Sequence, residues 1–229
     1  MKILFFLFFS AIFAIDRSWD EELLYSASFG GVDVATATLK SKKIKNIKNQ
    51  DILRIEFKAK SRPSLKYIFP INDKIIVDVD LNTWQPLKVE KKIREGSYKQ
   101  NSLSTFDHKN NIFIYKKDSI SYDGEIFNPY SLIYYFRTLD FSSDENYKIQ
   151  VVDNKKVTPL KFFTDKKVEV ETAFGKFYAN KVWPKKINGE PFKNAGKITI
   201  WISDKDKLPI IINLKMKFGS LNLELEEVN

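Results

Sequence analysis

The chain contains no cysteine. This absence excludes disulfide bonds, thiolate catalysis, cysteine-ligated metal sites and attachment of a lipid to a cysteine behind a leader. Histidine is nearly absent as well, since His108 stands alone and cannot build a multi-histidine zinc site. His108 lies in a polar stretch and no Gly-x-Ser-x-Gly elbow accompanies it, so we interpret it as a turn residue. We expect no catalytic residue of these classes, no metal and no cofactor.

The chain also lacks an apolar run of about 20 residues, the length that a membrane-spanning helix needs. Its longest apolar run, residues 3–14, follows the single positive charge of Lys2 and ends at the small residue Ala14. This arrangement is typical of a secretory signal peptide over residues 1–14, cleaved near Ala14. We therefore expect an exported mature chain, residues 15–229, that forms one domain without an integral membrane span and is not a lipoprotein.

The formal net charge is +9, and the lysines that produce it are spread over many separate turns and strands. No helix or sheet motif of nucleic-acid recognition accompanies them, so we expect no nucleic-acid partner. Scattered lysines are typical of a solvated surface. The alternative is that a basic field attracts the protein to anionic lipid or cell-wall polymer.

Two-residue alternation dominates the sequence. Leu53, Ile55, Phe57 and Ala59 alternate with charged neighbours in residues 51–60, which predicts a half-buried antiparallel strand. The same alternation recurs near residues 75–79, 198–202 and 221–225. Asp123-Gly124 and Asn188-Gly189 are turn signals, and the first predicts a tight hairpin. We therefore predict an all-β fold.

One segment departs from the alternation and predicts a short helix over residues 129–138. Asn128 is a good helix cap, and Pro129 suits the first helical position. Leu132, Tyr135 and Phe136 then give the spacing of an apolar helical face.

The sequence contains an internal similarity at a constant offset of 123 residues. Residues 74–97 align without a gap onto residues 197–220, and the proline and the Gly-Ser pair of each copy coincide. We interpret this as two related β halves, near residues 20–125 and 145–229, joined by the helix. The predicted architecture is a strongly curved antiparallel sheet or half-barrel with one short helix.

Several segments together resemble the exported bacterial proteins of domain-of-unknown-function family 3108, over nearly the whole mature chain. The most distinctive is SLIYYFRTL at residues 131–139. The others are YSASFGGV at 25–32, NDK at 72–74, REGSY at 94–98, FDH at 106–108, TAFGKFYA at 172–179 and IWISD at 200–204. Asn128 and Lys74 depart from the aspartate and arginine that are common in the family, which weakens an acidic or bidentate role there. The family has no established activity, so the resemblance implies no catalytic residues.

The unit from residue 200 to Pro209 is also similar, locally, to a strand-turn-strand unit of the LolA/LolB-like periplasmic lipid carriers. In that family a curved antiparallel sheet wraps helices and forms an apolar cavity. The similarity implies at most a likeness of fold, because function resides in a site and not in a fold.

The candidate ligand-binding residues lie on the predicted helix and in the two halves. Tyr134 and Tyr135 bring aromatic rings, and Arg137 brings a cation suited to an anionic head group. Trp84 and Trp201 occupy similar places in the two copies and suit the walls of the same pocket. The alternative is that the helix fills a curved sheet as ordinary core and that the tryptophans are packing anchors.

Asp78 and Asp80 are the most suggestive acidic pair, since alternate strand residues lie about 7 Å apart on one face. That spacing suits a two-carboxylate glycosidase, although the solvated face of a strand explains it equally. The same stretch starts like a calcium loop, but Thr83 and Val89 replace the required glycine and glutamate. We therefore reject the calcium interpretation.

The leading functional hypothesis is a non-enzymatic periplasmic protein for binding or envelope maintenance, with an apolar cavity for a lipid or other amphiphile. Two alternatives stay open. One is a hydrolase that acts on cell-wall polymer through Asp or Glu pairs. The other is a scaffold that binds another envelope protein through a sheet edge.

Overall fold

A computed structural model describes residues 19–46, 49–68, 70–141, 147–189, 197–216 and 219–229. The predicted signal peptide, residues 1–14, lies outside the described residues. Within them, no helix is long and apolar enough to cross a membrane.

The described residues form fifteen strands and one helix, α1, at Pro129–Thr138. The strands are β1 (Glu21–Phe29), β2 (Val32–Lys45), β3 (Asp51–Ser61), β4 (Asn72–Asp80), β5 (Pro86–Glu95), β6 (Tyr98–Asp107), β7 (Ile112–Tyr115), β8 (Asp118–Ser121), β9 (Ile126–Phe127), β10 (Tyr147–Asp153), β11 (Lys156–Thr172), β12 (Gly175–Lys186), β13 (Lys197–Ser203), β14 (Pro209–Met216) and β15 (Gly219–Val228).

All of these strands belong to one sheet, in the order β8-β7-β6-β5-β4-β3-β2-β1-β15-β14-β13-β12-β11-β10-β9. Neighbouring strands are antiparallel except β9 and β10, which are parallel. The first and last strands, β1 and β15, pair at the centre of the sheet. The predicted all-β class with one helix is confirmed.

The two outermost strands show how far the sheet curves. β8 and β9 lie at opposite edges, yet only residues 122–125 connect them. Since such a connection spans at most about 18 Å, the sheet must curl until its edges approach each other. The predicted strong curvature is confirmed, but the predicted hairpin at Asp123-Gly124 is wrong, because this segment bridges the gap between the two edges.

Side chains span this gap, which we call the seam. The amide of Gln100 on β6 donates to Asn154, which follows β10, at 2.6 Å, and Lys91 on β5 pairs with Asp153. A small hydrophobic cluster joins the same edges. It consists of Phe113, Tyr115, Tyr122, Ile126 and Val152. The sheet is therefore barrel-like, although no ladder of backbone hydrogen bonds joins β8 to β9.

The predicted alternation places the core inside the curved sheet. Leu53, Ile55, Phe57 and Ala59 of β3 are buried, and they join one core cluster with residues of both halves. Burying such a face supplies most of the free energy that folds an amphipathic strand, roughly 1.5–3 kcal/mol for each large side chain.

Helix α1 lies inside the sheet, and its local sequence explains its start. The side chain of Asn128 accepts a hydrogen bond from the backbone amide of Tyr130 at 3.0 Å, and the hydroxyl of Ser131 accepts one from the backbone amide of Asn128 at 3.0 Å. These reciprocal bonds satisfy the free amides of the first turn. The helix packs against β3 and β4 of one half and β10 and β13 of the other. The predicted helix over residues 129–138 is confirmed.

The two halves repeat the same strand register. Lys74 pairs with Lys92 across β4 and β5, and Lys197 pairs with Lys215 across β13 and β14, each residue 123 positions later. The same irregularity interrupts both ladders, and the same proline follows it. It lies between Asp78 and Val79 with Val79 opposite Pro86, and between Trp201 and Ile202 with Ile202 opposite Pro209.

The turns inside these repeats also coincide. Trp84 and Lys207, again 123 residues apart, both adopt positive φ, at 60° and 54°. Each donates its backbone amide four residues back, Trp84 to Asp80 at 2.8 Å and Lys207 to Ser203 at 3.1 Å. The two halves thus share register, bulge and left-handed residue, as the predicted relation between them requires.

Candidate functional site

A charged and aromatic group lies where α1 ends and β1 begins. We call it the arginine cluster, and it consists of Trp19, Glu21, Trp84, Tyr134 and Arg137. Three parts of the chain supply it: the start of β1 with the residue pair before it, the turn between β4 and β5, and the last turn of α1. We call the end of the barrel that holds this cluster the tryptophan end.

Arg137 and Glu21 form a buried ion pair at the centre of the cluster. Arg137 Nη2 donates to Glu21 Oε2 at 2.9 Å, and Nη1 donates to Oε1. Arg137 Nε donates to the carbonyl of Lys207 at 2.8 Å. The two side chains are only 1% and 11% exposed. Burial acts to lower the pKa of Arg137, but the hydrogen bonds and charge of Glu21 outweigh it and raise the pKa.

Local sequence explains why the pair forms here. Arg137 lies in the last turn of α1, where a cation complements the negative end of the helix dipole. Glu21 has the same strand parity as Leu23, Tyr25 and Ala27, which are fully buried, so its side chain points inward. A carboxylate on an inward-facing position needs a cation, and the helix supplies it.

Aromatic rings enclose the guanidinium. It lies 5.3 Å from the ring of Trp19 and 5.0 Å from the ring of Tyr134, within the range of cation–π attraction. Trp19 makes edge contacts with both Trp84, at 5.0 Å, and Tyr134, at 5.8 Å. Trp19 and Trp84 are half-buried, so they separate the ion pair from solvent.

The hydroxyl of Tyr134 is poorly satisfied in this cluster. Its ring is fully buried, and within the described residues its oxygen makes no well-formed hydrogen bond, although the side chains of Ser41 and Glu21 lie close to it. Burial first, and then the charge of Glu21, raises the pKa of Tyr134. By contrast, the nearby Tyr25 hydroxyl, which is buried as well, donates to the carbonyl of Pro209 at 2.8 Å. A buried hydroxyl without a well-formed hydrogen bond is rare and demands an explanation.

The structure brings together three of the five predicted site residues: Tyr134, Arg137 and Trp84. Tyr135 lies on another side of α1, against Phe127 at 4.8 Å. Trp201 lies on the outer face of β13, where Lys181 stands 5.5 Å over its ring. The five residues do not line one pocket.

The sequence reasoning missed Glu21 and Trp19. For Glu21 a signal existed, because its position continues the apolar alternation of Leu23, Tyr25 and Ala27. A charge at an inward-facing strand position predicts a buried partner. For Trp19 no pattern existed, since it precedes the strand.

Comparisons with known proteins place the chain in a family. Residues 24–226 match the family described as "Protein of unknown function (DUF3108)". The chain belongs to the DUF3108 family. No curated protein matches it in sequence.

A solved structure shares the fold of this DUF3108 protein. It is the crystal structure of a beta-barrel-like protein of domain of unknown function DUF1849 from Brucella abortus, with a TM-score of 0.59 and 8% sequence identity. The match covers 93% of this chain and 98% of that one. At this identity the likeness shows a common barrel-like fold and carries no information about activity.

A second polar group of the DUF3108 protein lies on the inward face of β4 and β5. The carboxyl groups of Asp73 and Glu95 lie close enough to raise the pKa of Glu95, and Asp73 accepts a hydrogen bond from the backbone amide of Arg94 at 2.7 Å. Burial first, and then Asp73, raises the pKa of Glu95 to about 7, and burial raises the pKa of Asp73 as well. The pair therefore shares a proton near neutral pH.

An open cavity of about 580 Å³ lies at the seam, and neither Asp73 nor Glu95 lines it. Its lining is polar and basic, and comes from the turns after β7 and β10. The lining residues are Tyr115, Lys116, Asp118, Asp153, Asn154, Lys155 and Lys156. The cavity suits a small polar or anionic group better than an acyl chain.

The remaining candidates have structural partners. Arg54 binds Asp78 through two hydrogen bonds of 2.7 and 2.8 Å, whereas Asp80 accepts the backbone amide of Asn82 at 2.8 Å and shapes a turn. In the part of the chain that the structure describes, no three histidine, cysteine, aspartate or glutamate side chains converge as metal ligands.

His108 lies in the turn after β6, as predicted. Its Nε2 is 2.8 Å from the carbonyl of Pro86, and its Nδ1 is 2.7 Å from the hydroxyl of Tyr122. Since a carbonyl only accepts, Nε2 carries the proton and Nδ1 accepts from Tyr122. His108 thus joins β5 to the seam.

Proposed function

We propose that this DUF3108 protein is a non-enzymatic binding protein of the cell envelope, and that it binds an anionic amphiphile at the tryptophan end. The observation that carries the proposal is the fully buried hydroxyl of Tyr134, which makes no well-formed hydrogen bond within the described residues, beside the buried cation of Arg137. A buried hydroxyl without a well-formed hydrogen bond costs free energy, and next to a cation it is suited to bind the anionic head group of a ligand.

The arginine cluster has the chemistry to hold such a head group. A carboxylate or phosphate in the place of the Glu21 carboxylate accepts both Nη donors of Arg137 in the same forked geometry. It also accepts a hydrogen bond from the Tyr134 hydroxyl, which makes no well-formed hydrogen bond within the described residues. The exchange takes the cation from Glu21, so binding also requires the Glu21 carboxylate to turn to solvent or to take up a proton.

The interior of the sheet would receive the apolar tail. Helix α1 occupies that space, and Leu132, Ile133 and Phe136 pack there in the core. Binding of a tail therefore requires α1 to move, and release of Arg137 from Glu21 removes the ion pair that ties its last turn to β1. Binding of the head group and binding of the tail thus both favour movement of α1.

The proposal places the protein outside the cytoplasm, in the periplasm. The support is the signal-peptide pattern of residues 1–14, which combines the positive charge of Lys2, an apolar run of the right length and the small residue Ala14. An envelope location also supplies anionic amphiphiles as ligands.

Native mass spectrometry of the protein purified gently from its host envelope tests the proposal. We expect an added mass of lipid size that organic solvent removes and that collisional activation releases as an anion. The intact mass also reports whether residues 1–14 are absent. A clean unliganded mass, together with no uptake of palmitate on incubation, would contradict the binding hypothesis.

A second candidate function rests on the Asp73–Glu95 pair. Two carboxyl groups that share a proton are suited to activate a water molecule. Glycosidase carboxyl groups stand at least about 5 Å apart, so a pair in close interaction does not fit glycoside hydrolysis, and the remaining bond of cell-wall polymer to test is the amide. Digestion of cell-wall peptides by the protein, with loss of this activity in Asp73→Asn, would support a hydrolase. If no peptide is released, the hydrolase hypothesis is wrong and the binding function is the remaining candidate.

A further inference from the structure

The outer face of β11, β12 and β13 carries a strip in which lysines alternate with aromatic rings. We call it the aromatic–lysine strip, and it consists of Lys161, Phe163, Lys181, Trp183, Lys185 and Trp201. Each lysine ammonium lies 4.8–5.5 Å from the centre of a neighbouring ring. Phe163 and Trp183 face each other across the two strands, with ring centres 6.0 Å apart. The three rings are half-buried, so part of each is open to solvent.

The equivalent face of the other half has a different composition. Trp201 lies opposite Lys181, and its counterpart at the same bulge, Asp78, lies opposite Arg54. Where Arg54 and Asp78 form an ion pair at 2.7 Å, the strip has a lysine and a tryptophan.

The next position along the strand repeats this difference. Two residues beyond Arg54 stands Glu56, which pairs with Lys58 and Lys74. Two residues beyond Lys181 stands Trp183. Thus the two carboxylates that neutralise the outer face of the first half are both tryptophans in the second.

The charge of the strip is consequently only partly compensated. Between residues 156 and 186 the chain carries eight lysines and three carboxylates. Within the described residues, Lys161 and Lys185 have no ion-pair partner, and Lys181 reaches Asp165 only at 3.9 Å. The face presents cations next to partly exposed aromatic rings.

We propose that the aromatic–lysine strip docks the protein on the surface of an anionic lipid bilayer. Tryptophan rings settle at the boundary between head groups and acyl chains, and lysines are attracted to anionic head groups. Both features lie on one face, so a bilayer engages them together. The complementary charge of the bilayer identifies it as the occupant, and the paired first half explains why only one face binds.

Flotation with lipid vesicles tests this proposal. The mature protein, residues 15–229, is mixed with vesicles of phosphatidylcholine alone or with about one-third phosphatidylglycerol. We expect binding to the anionic vesicles alone, and its loss as sodium chloride rises from about 0.1 to 0.5 M, because salt screens the attraction. Equal binding to both vesicles would overturn the proposal.

The informative variant gives the strip the pattern of the other half. Trp183→Glu with Trp201→Asp introduces the two carboxylates of positions 56 and 78, and we expect vesicle binding to fall about tenfold or more. Lys161→Glu with Lys185→Glu gives a second test, since neither change touches the core, and it should have the same effect.

The matched control is Lys58→Gln with Lys74→Gln. It lowers the net charge by two, as the tryptophan variant does, but on the outer face of β3 and β4, and it should leave binding unchanged. An equal loss of vesicle binding in this control would show that net charge alone causes the effect, and it would overturn the proposal. Binding of soluble polyphosphate by the strip without binding to vesicles would also overturn it, in favour of a polymer ligand.

Discussion

Arg137 and Glu21 join parts of the chain that are 116 residues apart, and they tie the end of α1 to the start of β1. The pair is nearly dry, so its two charges depend on each other. The ion pair therefore fixes the end of α1 to β1. In the proposed function, an incoming anion replaces the Glu21 carboxylate at Arg137.

Removal of one partner should destabilise the protein strongly. In Arg137→Met the carboxylate of Glu21 stays buried without a cation, and we expect the free energy of unfolding to fall by about 3–5 kcal/mol. Urea denaturation measures this change. The double variant Arg137→Met with Glu21→Leu should recover most of the loss, because no lone charge remains. Equal instability of the single and double variants would show that packing, and not charge, dominates.

Tyr134 and Tyr25 should respond differently to loss of their hydroxyls. Tyr134→Phe removes an oxygen that makes no well-formed hydrogen bond within the described residues, so we expect stability to be unchanged or to rise by up to about 1 kcal/mol. Tyr25→Phe removes the bond to the carbonyl of Pro209 and should cost about 1–3 kcal/mol. Thermal unfolding of both variants checks this, and a large loss in Tyr134→Phe would reveal a partner for its hydroxyl.

The acidic pair should make stability depend on pH. In the folded protein Glu95 holds its proton up to about pH 7, whereas in the unfolded chain it loses it near 4.5. The folded state thus binds more protons between these values, so this contribution is complete below pH 4.5 and is lost as the pH rises through 7. Glu95→Gln cannot ionise, and at pH 8 it should be more stable than the natural protein by about 1 kcal/mol.

The matched control for this measurement is Glu90→Gln. Glu90 is on the same strand but faces outward, near Lys88 and Lys92. Its variant should keep the fall in stability between pH 4.5 and 7. Unfolding curves at several pH values decide the matter, and a fall that persists in Glu95→Gln would assign the effect to other groups.

His108 should prove to be a structural residue. Replacement by alanine leaves the carbonyl of Pro86 and the hydroxyl of Tyr122 without their partner, which we expect to cost about 1–3 kcal/mol. The loss should appear as faster hydrogen exchange in β7 and β8, next to the seam. Binding of palmitate should be unchanged, and its loss would indicate a role for His108 in the site.

The sequence predicted the elements whose determinants are local. Leu53, Ile55 and Phe57 fix the inward face of β3 by parity alone, and Asn128 with Pro129 fixes the start of the helix. The repeat was also visible, because the bulge and proline of each copy hold the same spacing.

The parts that were not predicted depend on distant partners. Asp123-Gly124 carries a hairpin signal, yet only the closure of the sheet decides that its flanking strands lie at opposite edges. Trp84 and Trp201 look similar in sequence, but Lys207 is the counterpart of Trp84, and strand parity places Trp201 outside. The Asp73–Glu95 pair likewise arises from two strands and has no signal within either.

Uptake of palmitate tests the central claim most directly. Isothermal titration compares palmitate with hexadecanol, its neutral analogue, on the natural protein, on Tyr134→Phe and on Tyr135→Phe. We predict binding of palmitate but not of hexadecanol, about tenfold weaker in Tyr134→Phe, which loses a hydrogen bond to the anion, and unchanged in Tyr135→Phe. Equal affinity of the natural protein and Tyr134→Phe for palmitate, or equal binding of acid and alcohol, would contradict the account.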